Sequence, residues 1–232
     1  MKKNVSIVAI ALALSACTAN FSSGNVKVGN GKQVLCKGTV VERSFDFSGF
    51  DAIAINGQAD IEIYQGTEWS VRVVANEMVF DYLNYRVVDG SVLVLETLNH
   101  VNIVAEEYDI YITLPVLTDI TVNGAADMSL KRGYSADKNL RVLVNGAGDL
   151  DISSVEVPAL SVELKGAGDI DLHSIKVGRL RVDVKGAGDV EVSGKADEAS
   201  FSVSGAGAID ARRLDCPKVE KSRAGVAVIR TK

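Results

Sequence analysis

The sequence has few of the residue types from which catalytic and metal sites are usually built. Only two histidines and three cysteines occur among 232 residues. It contains no serine or cysteine nucleophile motif, no phosphate-binding glycine loop and no zinc-ligand spacing. His100 and His173 fall in segments that we expect to be loops, where a histidine is usually solvated. These absences favour a protein that is not an enzyme and uses no cofactor, although a site assembled from distant residues would leave no local motif.

Positive charge is also scarce. The chain has 25 Lys and Arg against 30 Asp and Glu, which gives a formal net charge of −5. Removal of residues 1–16 would take away two lysines and no acids, and would move the charge to −7. Because nucleic-acid binding needs a basic face, we expect no nucleic-acid partner.

The one long apolar run, residues 5–14, follows Lys2 and Lys3. It is too short to span a bilayer as a stable helix, and its layout is that of a signal peptide covering residues 1–16. The run ends in Leu-Ser-Ala-Cys at residues 14–17, which resembles the lipobox of bacterial lipoproteins. We therefore expect Cys17 to carry the lipid and to hold the protein on a membrane. The alternative is an ordinary signal peptide cut after Ala16.

The residues after Cys17 indicate where the protein is held. Thr18 stands where an Asp would resemble the inner-membrane retention signal of Gram-negative lipoproteins, so we expect an outer-membrane anchor facing the periplasm or the cell surface. Serine, asparagine and glycine dominate the next stretch, and we interpret residues 17–35 as the lipidated cysteine and a flexible tether. Residues 36–232 are enough for a single domain with one core.

A glycine motif repeats at a fixed spacing and predicts the fold. Gly-Ala-Gly-Asp occupies residues 146–149, 166–169 and 186–189, and degraded copies stand at 124–127 and 205–208. A period near twenty is typical of a solenoid, in which each repeat buries its apolar face against its neighbours. We therefore predict an all-β protein, a parallel β-helix or β-solenoid with about 20 residues per coil. Residues 116–232 are predicted to form regular coils, and residues 36–115 a less regular strand-rich part.

The segments before each motif alternate between apolar and polar residues, as half-buried strands do. The residues predicted to point inward are Val142, Val144, Val162, Leu164, Val182, Val184, Phe201 and Val203. Those predicted to point outward are Arg141, Ser161, Glu163, Arg181, Asp183, Ser200 and Ser202. Among the outward side chains, we expect the basic residues beside the corners to form the binding face. They are Arg141, Lys165, Arg181 and Lys185.

The motif itself is interpreted as a structural corner. Glycine permits a sharp bend, and an Asp side chain can accept backbone N–H groups of the turn. The corner residues are Gly146, Gly148, Asp149, Gly166, Gly168, Asp169, Gly186, Gly188 and Asp189. The alternative is a calcium site, because Asp149, Asp169 and Asp189 would repel one another if they stacked. The period of twenty differs from that of known calcium-binding glycine-Asp repeats, which have nine residues, so we predict no metal.

Two further features of the mature chain bear on its fold. Cys36 and Cys216 could form one disulfide in an exported protein, or could be two separate buried thiols. Residues 76–84 contain the only plausible helix, and Asp89-Gly90 predicts a hairpin. Asn-Gly-Gln-Ala-Asp at residues 56–60 echoes the later corner motif, which suggests that the first coil begins before residue 60.

Several motifs together resemble a known family. They are Ser-Gly-Phe-Asp-Ala-Ile at 48–53, the echo at 56–60, Tyr-Ile-Thr-Leu-Pro at 111–115, the repeated Gly-Ala-Gly-Asp and the lipoprotein leader. Over residues 40 to 225 the chain resembles the bacterial family called putative auto-transporter adhesin, head GIN domain. Many members have Gly-Ser-Gly where this chain has Gly-Ala-Gly. The resemblance implies a β-helical fold exposed at the cell envelope, suggests adhesion, and brings no catalytic residues.

These observations lead to one expected function and two alternatives. We expect a non-catalytic binding or adhesion module for a glycan or an envelope protein. The alternatives are a purely structural envelope lipoprotein and a polysaccharide-processing enzyme. The sequence leaves the oligomeric state open.

The structural interpretation of the corners predicts the effect of a chelator. If the corner carboxylates serve only the turns, EDTA should leave the melting temperature unchanged in differential scanning calorimetry. A drop of several degrees would instead show that calcium stabilises the repeats.

Overall fold

Strands make up nearly all of the chain that a computed structural model describes, which is residues 32–98, 101–131 and 133–232. The strands are β1 (Gln33–Leu35), β2 (Val40–Phe45), β3 (Ala52–Gln65), β4 (Ser70–Asn76), β5 (Arg86–Val88), β6 (Val92–Glu96), β7 (Asn102–Val104), β8 (Tyr108–Leu114), β9 (Asp119–Lys131), β10 (Tyr134–Ser135), β11 (Leu140–Ala147), β12 (Leu150–Ser153), β13 (Val155–Ala167), β14 (Ile170–Asp215) and β15 (Lys218–Thr231). The predicted all-β class is confirmed. The predicted signal peptide and Cys17 lie outside the described residues.

Equivalent residues of successive glycine-motif repeats are direct partners in a parallel sheet. Leu140 of β11 pairs with Leu160 of β13, and Leu160 pairs with Leu180 of β14. The same register brings Gly146 opposite Gly166 and Gly166 opposite Gly186. We call such a set of partners a column. The twenty-residue period of the motif is thus the spacing between paired residues.

The N-terminal part is mixed rather than parallel throughout. β2 and β4, β4 and β8, and β5 and β6 pair antiparallel, whereas β3 pairs parallel with β6, β8 and β9. The predicted hairpin is present, with positive φ at both Asp89 and Gly90 between β5 and β6. So short a connection can join only antiparallel neighbours. A regular parallel β-helix therefore does not extend through the whole chain.

The corner echo in the first half aligns with the later repeats. Asn56, Gly57 and Asp60 of β3 pair with Asn123, Gly124 and Asp127 of β9. The two sets are 67 residues apart in sequence, so the register rather than the spacing makes them equivalent. The first strand with the corner pattern therefore begins at residue 52, as the echo suggested.

The segments expected to be loops between repeats are strands instead. Glu156 pairs with Lys176, and His173 pairs with Ser153 as a half-buried strand residue. Ser154 and Ser174 have φ values of 58° and 55° and form a second corner of the repeat. The loop prediction was wrong because each of these segments finds a parallel partner one repeat away. His100 lies outside the described residues.

The predicted inward side chains form the core, and all eight are at most 3% exposed. Most of the predicted outward residues are at least partly exposed. Asp183 is the exception, with an exposure of 9%. The Arg181 side chain contacts it through an ion pair of 2.6 Å and covers it, so a residue on the outer side of the strand is nevertheless buried.

The corner glycines are required because successive repeats approach each other very closely there. Gly166 has a φ of 150°, and a Cβ built on it would lie 1.8 Å from the carbonyl oxygen of Gly146. The same contact recurs at Gly186, whose Cβ would lie 2.0 Å from the oxygen of Gly166. Bending alone would tolerate some other residues, but a backbone oxygen in the place of the Cβ excludes every side chain.

The last repeat closes the core with charged residues. Lys221 and Arg223 of β15 pair with Phe201 and Val203, two of the buried core residues. The Lys221 ammonium donates a hydrogen bond of 2.5 Å to the hydroxyl of Thr231 across this end. Charges at inward positions of a final strand discourage further strand pairing, as capping repeats of solenoids do.

A 3-10 helix at Glu77–Tyr82 lies within the segment predicted to contain a helix. It is short, and no helix in the described part of the chain has the length and apolar character needed to cross a membrane. Strand pairing therefore organises this part of the fold almost alone.

We predict that Gly166→Ala lowers the free energy of unfolding by about 4 kcal/mol or more, because the new Cβ meets backbone that cannot move away. Gly57→Ala is the matched control. Gly57 has a similar φ of 140°, but a Cβ there would meet no atom within 4 Å. It should cost only the backbone strain of about 1–3 kcal/mol. Equal losses for the two variants in urea denaturation would contradict the close-approach explanation.

Candidate binding surface

The four basic residues predicted to form a binding face lie on one side of the sheet before the glycine corner. Arg141, Ser161 and Arg181 form one column, and Lys165 and Lys185 belong to another, four residues further along the strands. Between these columns runs a third, made by Leu143, Glu163 and Asp183. The parallel register therefore brings together residues that are forty positions apart in sequence.

Each of these basic groups has an acidic partner within the protein. The pairs are Arg141 with Asp119 at 3.1 Å, Arg181 with Asp183 at 2.6 Å, Lys165 with Glu163 at 3.3 Å and Lys185 with Glu163 at 2.6 Å. The hydrogen bond from Lys185 is the main reason why the pKa of Glu163 is lowered. The face is therefore a surface of mutually paired ions rather than a basic patch, and we call it the paired-ion face.

A groove of about 480 Å³ opens beside this face, across the repeats near the C-terminus. Its lining includes the donors Ser161, Arg181 and Ser200 and the partly exposed Ala159, together with charged side chains of both signs: Arg179, Glu198, Lys218 and Glu220. Hydroxyl and guanidinium donors beside apolar surface are what a sugar ring, with its polar edge and apolar face, can contact. The sequence predicted Arg181 at a binding face but not the groove, because its walls come from separate repeats.

A ladder of aspartates links the repeats just after the glycine corner. Each aspartate side chain accepts a hydrogen bond from the backbone N–H of the equivalent residue in the next repeat. The bonds run from the N–H of Asp149 to Asp127 at 2.9 Å, from Asp169 to Asp149 at 2.9 Å, from Asp189 to Asp169 at 3.0 Å and from Ala208 to Asp189 at 2.9 Å. The sequence predicted such bonds within each turn. The structure shows that they join one turn to the next.

The acidic surface extends into the N-terminal part, which the repeat did not reveal. Asp60 pairs with both Asp127 and Asp109. Burial, followed by a hydrogen bond and the charge of Glu107, raises the pKa of Asp109 to about 6. Burial and the charge of Asp127 also raise the pKa of Asp60. Asp109 lies outside any glycine motif, so only the pairing of β8 with β3 shows its place in the column.

The geometry of these acids bears on the calcium alternative. Within the described ranges, no three Asp, Glu, His or Cys side chains are arranged to hold a metal ion. One oxygen of Asp149, Asp169 and Asp189 already accepts a backbone N–H. The ladder therefore accounts for these carboxylates through hydrogen bonding alone.

A second ladder precedes the corner glycines. The side-chain amide of Asn123 donates to the Asn56 oxygen at 2.9 Å, and that of Asn145 donates to the Asn123 oxygen at 3.0 Å. The same column continues with Lys165 and Lys185. The sequence contained this signal, because an asparagine stands directly before three successive corner glycines.

The two cysteines of the described chain are both free, so the disulfide considered between them is not formed. Cys36 is buried at the end of β1, where burial and then the charge of Asp81 raise the pKa of its thiol. Cys216 is partly exposed, and its thiol donates to the carbonyl oxygen of Lys218 at 3.1 Å. The two thiols are separate, as the second possibility required, but only Cys36 is buried.

The aspartate ladder predicts a contrast between two substitutions at one position. Asp169→Ala should lower the free energy of unfolding by about 1 kcal/mol, because the N–H of Asp189 loses its acceptor. Asp169→Asn should stay within about 0.5 kcal/mol of the parent, because an amide oxygen can accept the same bond. Thermal unfolding of both variants measures the difference. A larger loss for Asn than for Ala would show that the negative charge, not the acceptor, matters.

Comparison with solved structures supports the fold. A putative adhesin from Bacteroides fragilis NCTC 9343 is 19% identical, with a TM-score of 0.71 over 86% of this chain and 100% of that one. A putative lipid binding protein from Parabacteroides distasonis ATCC 8503 is 20% identical, with a TM-score of 0.76 over 87% of this chain and all of that one. Similarity at this level of identity shows a shared fold only. No curated protein matches the sequence.

The sequence profile of one family matches residues 49–231, which is most of the chain. This range contains the glycine corners, the aspartate ladder and the paired-ion face described above. The family is named for adhesion rather than for any reaction, which supports a non-catalytic binding module. The chain belongs to the family described as putative auto-transporter adhesin, head GIN domain.

Proposed function

We propose that this protein is a lipid-anchored protein of the outer membrane and that it acts as a non-catalytic binding or adhesion module for a glycan. Its membership of an adhesin family supports the binding role. The lipobox-like sequence ending at Cys17 supports the anchor. The observation that carries the choice of ligand is the groove beside the paired-ion face, where the donors of Arg181, Ser161 and Ser200 lie beside the partly exposed Ala159.

The scaffold for this surface is proposed to be a solenoid in residues 116–232. Parallel pairing at a spacing of twenty residues, the close contacts between corner glycines and the charged final repeat support it. Successive strands of such a sheet are separated by ~4.8 Å. A stack of repeats therefore displays the same side-chain positions at regular intervals, which suits an extended, repetitive polymer such as a glycan.

The charge distribution favours a neutral or weakly charged ligand. The basic groups of the paired-ion face are already bound to Asp119, Glu163 and Asp183. A strongly anionic polymer would have to compete with these partners, and would meet the aspartate ladder just beyond the glycine corner. A glycan that contacts the face through hydroxyl groups can instead share hydrogen bonds with ion pairs that stay intact.

A purely structural role is the second candidate, and one observation favours it. The same ion pairs satisfy the charged groups of the face within the protein, so they would stabilise the stack without any ligand. In that case the groove would be a by-product of the corner geometry. An enzyme acting on polysaccharides would be recognised in the same experiment by a change in glycan length, and an envelope protein as partner would leave the glycan array unbound without self-assembly.

We expect the purified lipoprotein in detergent to bind members of a glycan array, and Arg181→Ala and Ser200→Trp to weaken this binding at least tenfold. The first removes a hydrogen-bond donor and the second fills the groove. Arg213→Ala is the matched control. The Arg213 side chain is 65% exposed against 64% for Arg181, and it pairs with Glu191 beyond the glycine corner.

Three other results would contradict the proposal. An equal loss of glycan affinity in the Arg181 and Arg213 variants would show that the groove is not the binding site. Absence of any glycan binding together with self-assembly would favour the structural role. A change in glycan length, measured by mass spectrometry after incubation, would show an enzyme.

A further inference from the structure

Large apolar side chains are exposed mainly at one end of the molecule. Eight such side chains are exposed in the described residues. Five of them belong to the segments that form the N-terminal end, and we call these five the entry patch. They are Leu35 (57% exposed), Val40 (46%), Met78 (39%), Leu98 (42%) and Val104 (43%). Exposed apolar groups that are scattered singly need no explanation, whereas a cluster marks a contact surface.

Backbone contacts connect the segments that carry four members of the entry patch, Leu35, Val40, Met78 and Val104. Leu35 and Val104 are direct partners in the parallel pair of β1 and β7. The N–H of Lys37 points to the sulfur of Met78 at 3.4 Å, and the N–H of Met78 donates to the carbonyl oxygen of Lys37. Val40 pairs with Asn76, directly before the 3-10 helix that carries Met78. Thus β1, β7 and the helix present these side chains together.

The patch is the outer side of a segment whose inner side is buried. Cys36 and Ile103 are only 2% and 8% exposed and belong to the core. Their neighbours in sequence, Leu35 and Val104, are among the most exposed large apolar residues of the described chain. Since side chains alternate along a strand, Val34 and Ile103 lie on the inner side of the pair β1 and β7, and the outer side carries one polar pair, Gln33 with Asn102, and one apolar pair, Leu35 with Val104. Polar residues would normally occupy the outer positions of such a pair.

The position of the patch relative to the proposed lipid anchor indicates what covers it. The carbonyl oxygen of Lys32 accepts a hydrogen bond of 3.0 Å from the N–H of Asn102, which is close to Val104 in β7. Only residues 18–31 separate Lys32 from Cys17. A tether of this length and composition has a root-mean-square end-to-end distance of roughly 20 Å. An acylated Cys17 would therefore keep the entry patch close to the bilayer surface.

The opposite end of the molecule is much further from that point. Six strand-to-strand steps lead from β3 through β9 and the later repeats to β15, which corresponds to roughly 30 Å at the usual spacing. Val226, the most exposed apolar side chain at 84%, lies at this end. Among the described residues, Val226 and Val228 are the exposed large apolar side chains of this end, and Val226 provides a comparison because it is distant from the proposed anchor.

We propose that the entry patch docks on the membrane in which the lipid of Cys17 is inserted, with its apolar side chains in the interfacial region of the bilayer. This inference rests on the proposed lipid anchor. A short tether keeps the effective concentration of the patch at the membrane surface high. A few apolar side chains therefore suffice to hold the patch on the bilayer. The protein then stands on the membrane with its last repeats, and the groove they carry, directed away from it.

The charges near the patch argue for apolar rather than electrostatic contact. Lys37 and Arg43 line a shallow depression together with Glu77 and Asp81, so the local charges balance. The Arg43 guanidinium also lies 4.3 Å from the ring centre of Phe80. Docking should therefore depend little on salt, unlike the attraction of a basic patch to anionic headgroups.

Quenching of a tryptophan placed in the patch tests the proposal. The acylated protein is reconstituted into vesicles of phosphatidylethanolamine and phosphatidylglycerol whose acyl chains carry bromine, a contact quencher of tryptophan fluorescence. Leu35→Trp is compared with Val226→Trp, and the native Trp69 gives both the same background. We expect at least twofold stronger quenching for Leu35→Trp, unchanged by a tenfold increase in salt, and parent-like quenching for Val226→Trp.

The outcomes separate failure of the docking from failure of the anchor. Mass spectrometry of the purified protein reports whether Cys17 is acylated, and an unmodified chain would overturn the anchor and with it this inference. An acylated chain with equal quenching at the two positions would overturn the docking alone. The docking would also be overturned if a second copy of the chain, detected as cross-linked dimers, or residues 18–31 shielded the tryptophan of Leu35→Trp from the quencher. A melting temperature equal to that of the parent verifies that each variant is folded.

Discussion

Close approach of one repeat to the next at the glycine corner is the constraint on which the rest of the structure depends. The carbonyl oxygen of Gly146 occupies the space in which residue 166 would carry its Cβ, and the same is true one repeat later. A slip of register would place Ala167 or Lys165 against that oxygen. The corner therefore fixes the parallel alignment, and the neighbouring strands inherit it.

Once the register is fixed, identical residues must stack, and the chain uses this in two ways. In the aspartate ladder, like charges come close together. Each carboxylate nevertheless accepts a hydrogen bond from a backbone N–H, as Asp149 does from Asp169. Where the asparagine column changes to lysine after Asn145, two like charges, Lys165 and Lys185, become neighbours. Acids in the next column then balance the lysines. Stacking thus determines the electrostatics of every exposed face.

The two ends of the molecule solve the same problem differently. A stack of strands leaves an open edge that could pair with another chain. At the C-terminal end, Lys221 and Arg223 replace the core residues of the preceding repeat. The N-terminal end has antiparallel strands and the apolar pair of Leu35 and Val104 instead. Charge is suited to an end that faces water, and apolar surface to an end that meets another phase or partner.

The sequence alone determined the all-β class, the twenty-residue spacing and the buried side chains such as Val162, because each depends on local alternation and on a regular motif. The tertiary structure decided which residues meet across neighbouring strands, including Asp60 with Asp109 and Lys185 with Glu163. It also decided that the segments around His173 are strands and that the cysteines stay apart. These features depend on residues that are distant in sequence and become neighbours only when their strands pair. A local sequence pattern does not show which strands pair.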